Sequence, residues 1–403
     1  MSISTESLRS DLDGRLDELA ANVVALAEIN SGSYNPDGVN RVGERLAELV
    51  GSLKPTSVET LPVEPSPGLG QDGQTTVSPV GDALRARKRP DAPFQVCLFG
   101  HLDTVFAPDN PFQNVTAEGR RLLGPGVADC KGGLVLATEV LRYLDTVEWG
   151  EQVGWELLTV PDEEIGSLSS KGLLREAAES ADLGLGFEPA LPSGGVAAAR
   201  KGSLTGHLLV RGLAAHAGRA HAEGRSAILG LSAMIVELEA HNSRRGLTVN
   251  CGRISGGGAL NVVPDFAMAS FNMRVEAAED QHWIEQRFDE AAATAKANFE
   301  VDVDVVWTSA RPPKVRTAEL DQMLHDVSNA ATTLGFTVTP EDTGGCCDGN
   351  DMAAAGLTNV DSLGIAGGGI HSSNEFADID SIPERAAMVA EVLHRAYLRS
   401  LNK

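Results

Sequence analysis

The stretch LLTVPDEEIGS, residues 157–167, sets an apolar run against three consecutive acids, Asp162, Glu163 and Glu164. Trp155, Leu157, Leu158 and Val160 read as a short, largely apolar strand. Such strands belong to parallel α/β sheets, where sites gather beyond the carboxyl ends. Taken alone, an acidic triplet reads as a solvated loop tip. Successive strand residues point to opposite faces, so Glu163 and Glu164 can share a site only once the strand has ended. Pro161 and Gly166 bracket the acids and supply that turn.

Working outward, FQVCLFGHLDTV (94–105) reads as a buried strand running into a loop, and KGGLVLATEVLRYL (131–144) as a helix opened by glycines. LGLGFEP (183–189) reads as another strand. Upstream, residues 4–30 and 39–53 have helical periodicity, while 64–93, rich in Pro, Gly and charge, reads as strands joined by long turns. From residue 200 the texture changes. KGSLTGHLLVRG (201–212), LTVNCGRISGG (247–257), DFAMASFNMRV (265–275) and VDVDVVWT (301–308) read as strands, with helices over 224–242 and 279–299. That βαββαβ order is the split-βαβ, ferredoxin-like pattern. The expected architecture is α/β with two domains. A catalytic domain over 1–199 and 312–403 is interrupted by an inserted domain over 200–311.

The chain of 403 residues carries 56 acids against 33 basic residues, a formal charge of -23. That balance argues against nucleic acid as a partner. No apolar run reaches the length of a membrane span, and MSISTESLRSDLDGRLDEL has no secretory pattern. Five cysteines without a C-x-x-C pair read as reduced thiols, hence a cytoplasmic location. Cys346 and Cys347 are expected to be small buried residues rather than metal ligands.

Five motifs hold the chemistry. GHLDTV carries His101 and Asp103, GPGVADCKGG carries Asp129, and PDEEIGS carries Glu163 and Glu164. FEP carries Glu188, and GGGIHSSNEF carries His371. Each lies at a strand end or in a glycine-rich loop. A lone histidine is more often an ordinary hydrogen-bonded residue, Asp129 alone could cap the following helix, and Glu188 alone could be exposed. The glycines of GPGVADCKGG match neither common phosphate-binding pattern. Imidazole and carboxylate without thiolate suit zinc or another divalent transition metal.

Together these motifs resemble the zinc-dependent aminoacylase and carboxypeptidase family, in order from about His101 to the C-terminus. TGGCCDGNDMAAAG (343–356) resembles a further family segment, with Cys347 where a small Ser or Thr is usual. The resemblance implies a zinc-exopeptidase-like catalytic domain with a mixed sheet, and an inserted dimerisation domain. It implies two divalent ions, zinc in the first place and cobalt or manganese as substitutes. His101 and Glu188 would hold one, Glu164 and His371 the other, and Asp129 would bridge them. Asp103 would fix the His101 tautomer, and the Asp129–Cys130 peptide would be cis. Glu163 would stay unbound as general base, taking a proton from the attacking water and passing it to the leaving nitrogen. His216 in AAHAGRA would reach a neighbouring subunit's site and stabilise the oxyanion. Asn261 in LNVVP and Arg274 in NMRV would grip a substrate carboxylate, joined by Arg311 in SARPP. The implied protein is a homodimeric two-metal amidohydrolase acting next to a free carboxylate of a small substrate, glutamate-carboxypeptidase-like. An N-acyl-amino-acid deacylase of the acetylornithine deacetylase or succinyl-diaminopimelate desuccinylase type is the first alternative. A catalytically silent, ligand-binding dimer scaffold is the second.

Overall fold

The structure, a computed structural model, describes residues 4–402; residues 1–3 and 403, at the outer ends of the expected catalytic segments, lie outside the described residues. The strand that opened the reading, Val153–Val160, is buried along its whole length. Leu157 enters one hydrophobic core and Leu158 the core on the opposite face. Helices therefore cover both faces of its sheet, as an apolar parallel strand requires.

That sheet has six strands, in the order Ser57–Leu61, Ala83–Lys88, Val153–Val160, Phe94–His101, Leu183–Gly186 and Asn359–Val360. The last four run parallel, and Ala83–Lys88 is antiparallel to both of its neighbours, so the sheet is mixed. His101 pairs with Val160 and Phe99 with Gly186. This register brings the carboxyl ends of three strands, each followed by a candidate residue, to one edge.

The segment over 64–93 holds more regular structure than its composition suggests. Ser66–Leu69 and Thr75–Ser78 form a hairpin, and Ala83–Lys88, sequence ALRARK, is an internal sheet strand. Its charges are matched across the strand pair: Glu156 lies 2.9 Å from Arg85 and 2.7 Å from Arg87. A second layer beside the main sheet pairs Arg121–Leu123, Phe376–Asp378 and Gly367–Gly368. It holds the loop bearing His371 against the turn bearing Asp129.

The inserted domain is a four-stranded antiparallel sheet in the order Thr248–Gly256, Phe266–Val275, Gly202–Arg211 and Asp302–Arg311. The helices Ala227–Glu239 and Ala278–Phe299 pack on it through their own hydrophobic core. This is the ferredoxin-like βαββαβ order. Where the chain crosses between the two domains, the backbones of Arg200 and Lys314 exchange two hydrogen bonds of 3.0 Å. The buried Asn350 amide donates to both crossings, at 3.1 Å to the Lys201 carbonyl and 2.8 Å to that of Pro312. Among the described residues no helix is long and apolar enough to cross a membrane.

Candidate active site

The turn after Val160 separates the adjacent glutamates. Pro161 ends the strand, Glu163–Ile165 form one 3-10 turn, and Gly166 closes it at a φ of 102°. The buried Asp103 carboxylate accepts from the backbone N–H groups of Glu163 at 3.1 Å and Glu164 at 3.2 Å. Ser33 donates to the same carboxylate at 2.6 Å. Asp103 also faces His101, with Nδ1 lying 3.0 Å from its carbonyl and 3.3 Å from its carboxylate. One side chain thus aligns the histidine and the glutamate turn together, more than the tautomer control expected of it.

Asp129 stands between two histidines. Its Oδ1 lies 3.1 Å from His101 Nε2 and its Oδ2 3.3 Å from His371 Nε2. Glu188 lies 3.9 Å from His101, and Glu164 3.1 Å from His371. The structure therefore brings all five expected ligands together, in two groups that share Asp129. The Asp129–Cys130 peptide is cis. Burial pushes the Glu164 carboxyl up to about 7 and Glu188 well above the carboxylate range. Burial also works against the Asp129 charge, but the hydrogen bonds to His101 and His371 outweigh it and hold Asp129 low. Hydrogen bonds to Asp129 and Glu164 raise His371 to about 10. Buried carboxylates drawing protons in this way are short of positive charge. Ligand atoms of His101, Asp129 and Glu164 all lie within 4.8 Å of one another. That span and the oxygen-nitrogen donor set fit divalent metal.

Sequence reasoning missed two supports. Glu375 is buried, and its Oε1 accepts from the N–H groups of Ala128 at 3.0 Å and Asp129 at 3.1 Å. Its place four residues after His371 in the same motif was the available signal. Lys131 is buried too, with Nζ 3.0 Å from the Ile29 carbonyl, and burial brings its ammonium down to about 8.

A cavity of about 360 Å³ opens between the two domains, lined by Glu163, Glu164, His371 and Arg274. Arg274 bonds Asn272 at 3.0 Å and Cys346 at 3.1 Å, and has no carboxylate partner among the described residues. Cys346 departs from expectation: it is half-buried and faces this cavity. Cys347 is buried, and its Sγ accepts from Gly349 N–H at 3.3 Å. His216 and Asn261 lie on neighbouring exposed loops, joined by a 2.9 Å bond from Ala217 N–H to the Asn261 carbonyl. Neither lines the cavity within this chain. Arg311, expected among the substrate-binding residues, lines the same cavity, and its guanidinium is buried and ion-paired to Glu163, Asp348 and Asp351.

The sequence profile of peptidase family M20/M25/M40 matches residues 97–395. The chain belongs to this family. This M20 chain is 30% identical over 333 residues to carboxypeptidase G2 of Pseudomonas sp. (strain RS-16), covering 78% of this chain and 77% of that one. It is 27% identical over 336 residues to a succinyl-diaminopimelate desuccinylase of Nitrosococcus oceani, covering 78% and 85%. Among solved structures it resembles an M20 metallo-carboxypeptidase of Sulfolobus solfataricus, with a TM-score of 0.74 at 18% identity over 95% of this chain and 100% of that one. It also resembles a Bacillus subtilis M20 peptidase described as dinuclear and metal-binding, with a TM-score of 0.65 at 15% identity over 96% and 99%. The M20 chain is a metal-dependent hydrolase of the peptidase and amidohydrolase type.

Proposed function

We propose that this M20 hydrolase cleaves a peptide or N-acyl bond next to a free carboxylate, in the manner of a glutamate carboxypeptidase. The observation that carries the reading is Asp129, placed between His101 and His371 with Glu188 and Glu164 beside them. His101, Glu188 and Asp129 would hold one ion, and Glu164, His371 and Asp129 a second, zinc in the first place. Divalent ions there supply Lewis acidity and lower the pKa of water from about 15.7 towards roughly 7. Glu163 takes a proton from the attacking water and returns it to the leaving nitrogen. Asp103 keeps His101 and the Glu163–Glu164 turn in register. Arg274, without a carboxylate partner, offers a planar fork for a substrate carboxylate. A carboxypeptidase among the relatives supports that substrate class, and the free cysteines support a cytoplasmic setting.

His216 and Asn261 complete the site in a homodimer, each chain lending them to its neighbour. The inserted domain leaves Leu229, Val236 and Leu260 exposed, and Thr248–Gly256 is an edge strand. Light scattering is expected to give twice the chain mass. Full activity from a monomer would remove this role for His216 and Asn261.

The test of substrate class is a panel read by mass spectrometry with the zinc-loaded protein: folate, dipeptides ending in glutamate, aspartate or alanine, and N-acetyl- and N-succinyl-amino acids. Release of C-terminal glutamate is the expected result. The desuccinylase relatives favour a second reading, an N-acyl-amino-acid deacylase. Cleavage confined to the acyl-amino acids would establish it instead. Silence across the panel with metal bound would overturn both.

A further inference from the structure

Arg311 is the last residue of the inserted domain's strand Asp302–Arg311, yet the partners of its guanidinium all belong to the catalytic domain. Nη1 bonds Glu163 Oε1 at 2.5 Å. Nη2 bonds Ser167 Oγ at 2.6 Å and Asp348 Oδ1 at 2.9 Å. Nε lies 3.3 Å from Asp351. The side chain is only 5% exposed, and although the residue borders the cavity between the domains, each of its nitrogens faces one of these partners. Ser167 in turn donates to Asp348, which closes the network on that side.

We infer that Arg311 is a positioning residue for Glu163, and that its place at the domain crossing makes the alignment of the base depend on how the inserted domain is seated. The inference rests on Glu163 being the base. Arg311 donates to Oε1 of the Glu163 carboxylate and, at 3.3 Å, to the Glu163 carbonyl, while Oε2 has no hydrogen-bond partner among the described residues. One oxygen is anchored and the other keeps its lone pairs for a proton. A guanidinium suits the task because its rigid fork holds Glu163 and Asp348 at once, whereas an ammonium is a single point charge. The seating of the inserted domain reaches the base through a short path. Asn350 holds the Pro312 carbonyl directly after Arg311, and Lys171 Nζ holds the Ala310 carbonyl at 2.9 Å directly before it. A shift of the inserted domain thus moves the guanidinium that fixes Glu163.

The experiment compares wild type, Arg311→Met, Arg311→Lys, Glu163→Gln and the Arg311→Lys/Glu163→Gln double variant, with metal content and circular dichroism measured on each. The expected result for Arg311→Met is a fall in kcat of about 100-fold with KM within about threefold and metal content unchanged. Arg311→Lys recovers about tenfold of that loss, because charge returns without the fork. In the Glu163→Gln background, Arg311→Lys changes kcat by less than about threefold, since a residue acting through the base has nothing left to position. Where Arg311→Met does not fold, Arg311→Lys and the double variant decide. A rise in KM of about tenfold with kcat intact would make Arg311 a substrate ligand and overturn the inference. So would an unchanged kcat, or additive losses in the double variant. A wild type inactive on the whole panel would instead strike the proposed function, a result read before any variant is made.

Discussion

Glu163→Gln is expected to lower kcat by about 1,000-fold, or about 4 kcal/mol of transition-state stabilisation, while the bound metal content stays unchanged. Glutamine keeps the shape of the side chain and can still accept a bond from Arg311, but it cannot take a proton from water. Its backbone N–H stays bonded to Asp103, so the turn is preserved. Glu164, one residue on, sits beside His371 and Asp129 on the other side of that turn and is not disturbed. Turnover and metal analysis on the same sample separate the outcomes. Activity within tenfold of wild type would mean that another group carries the proton. Lost metal would mean that Glu163 belongs to the ligand set.

Asp361→Asn is expected to destabilise the fold by about 3–5 kcal/mol, the range for removing one member of a buried ion pair. Asp361 is fully buried and lies 2.6 Å from Arg200 and 2.7 Å from Lys314, both buried themselves. These two residues form the backbone crossing between the domains. Asparagine retains one acceptor but leaves two cations without a counter-charge. Denaturant midpoints with matched slopes measure the change, and a loss under about 0.5 kcal/mol would remove Asp361 from the stabilising core. Burial works against the Asp361 charge, but Arg200 and Lys314 outweigh it and bring the carboxyl from 3.8 down to about 2. A depressed folded pKa contributes stability that is present in full above 3.8 and lost as pH falls towards 2. The Asp361 contribution to acid unfolding therefore falls within that window, and Asp361→Asn should remove it.

The site was legible where chemistry and short-range spacing coincide. His101 ends an apolar strand and Glu163, Glu164 and Glu188 follow one by a few residues, and the register of parallel strands then places them at one edge. Asp129 and His371 lie in glycine-rich loops whose residue types repeat a family pattern. The inserted domain was legible because alternation of strand and helix survives without knowledge of neighbours. Ala83–Lys88 was less so: three of its six residues are basic, and their counter-charges come from the opposing Glu156 and from Glu176 and Asp145 nearby in space. Arg311 shows the same limit. Its type suited a substrate carboxylate, but its partner Glu163 lies 148 residues away, and no local pattern records which acid a buried arginine meets.

By itself the sequence determined the periodicities, the strand ends and the side-chain types of the candidate site. These follow from backbone geometry and side-chain chemistry within about ten residues. Only the tertiary structure decided that Asp103 organises two motifs, that Glu375 holds the Asp129 turn, and that Arg311 faces Glu163. It also decided that His216 and Asn261 stand outside the cavity of their own chain. The physical reason is that buried charges must be paired, and which charge meets which depends on how distant segments pack.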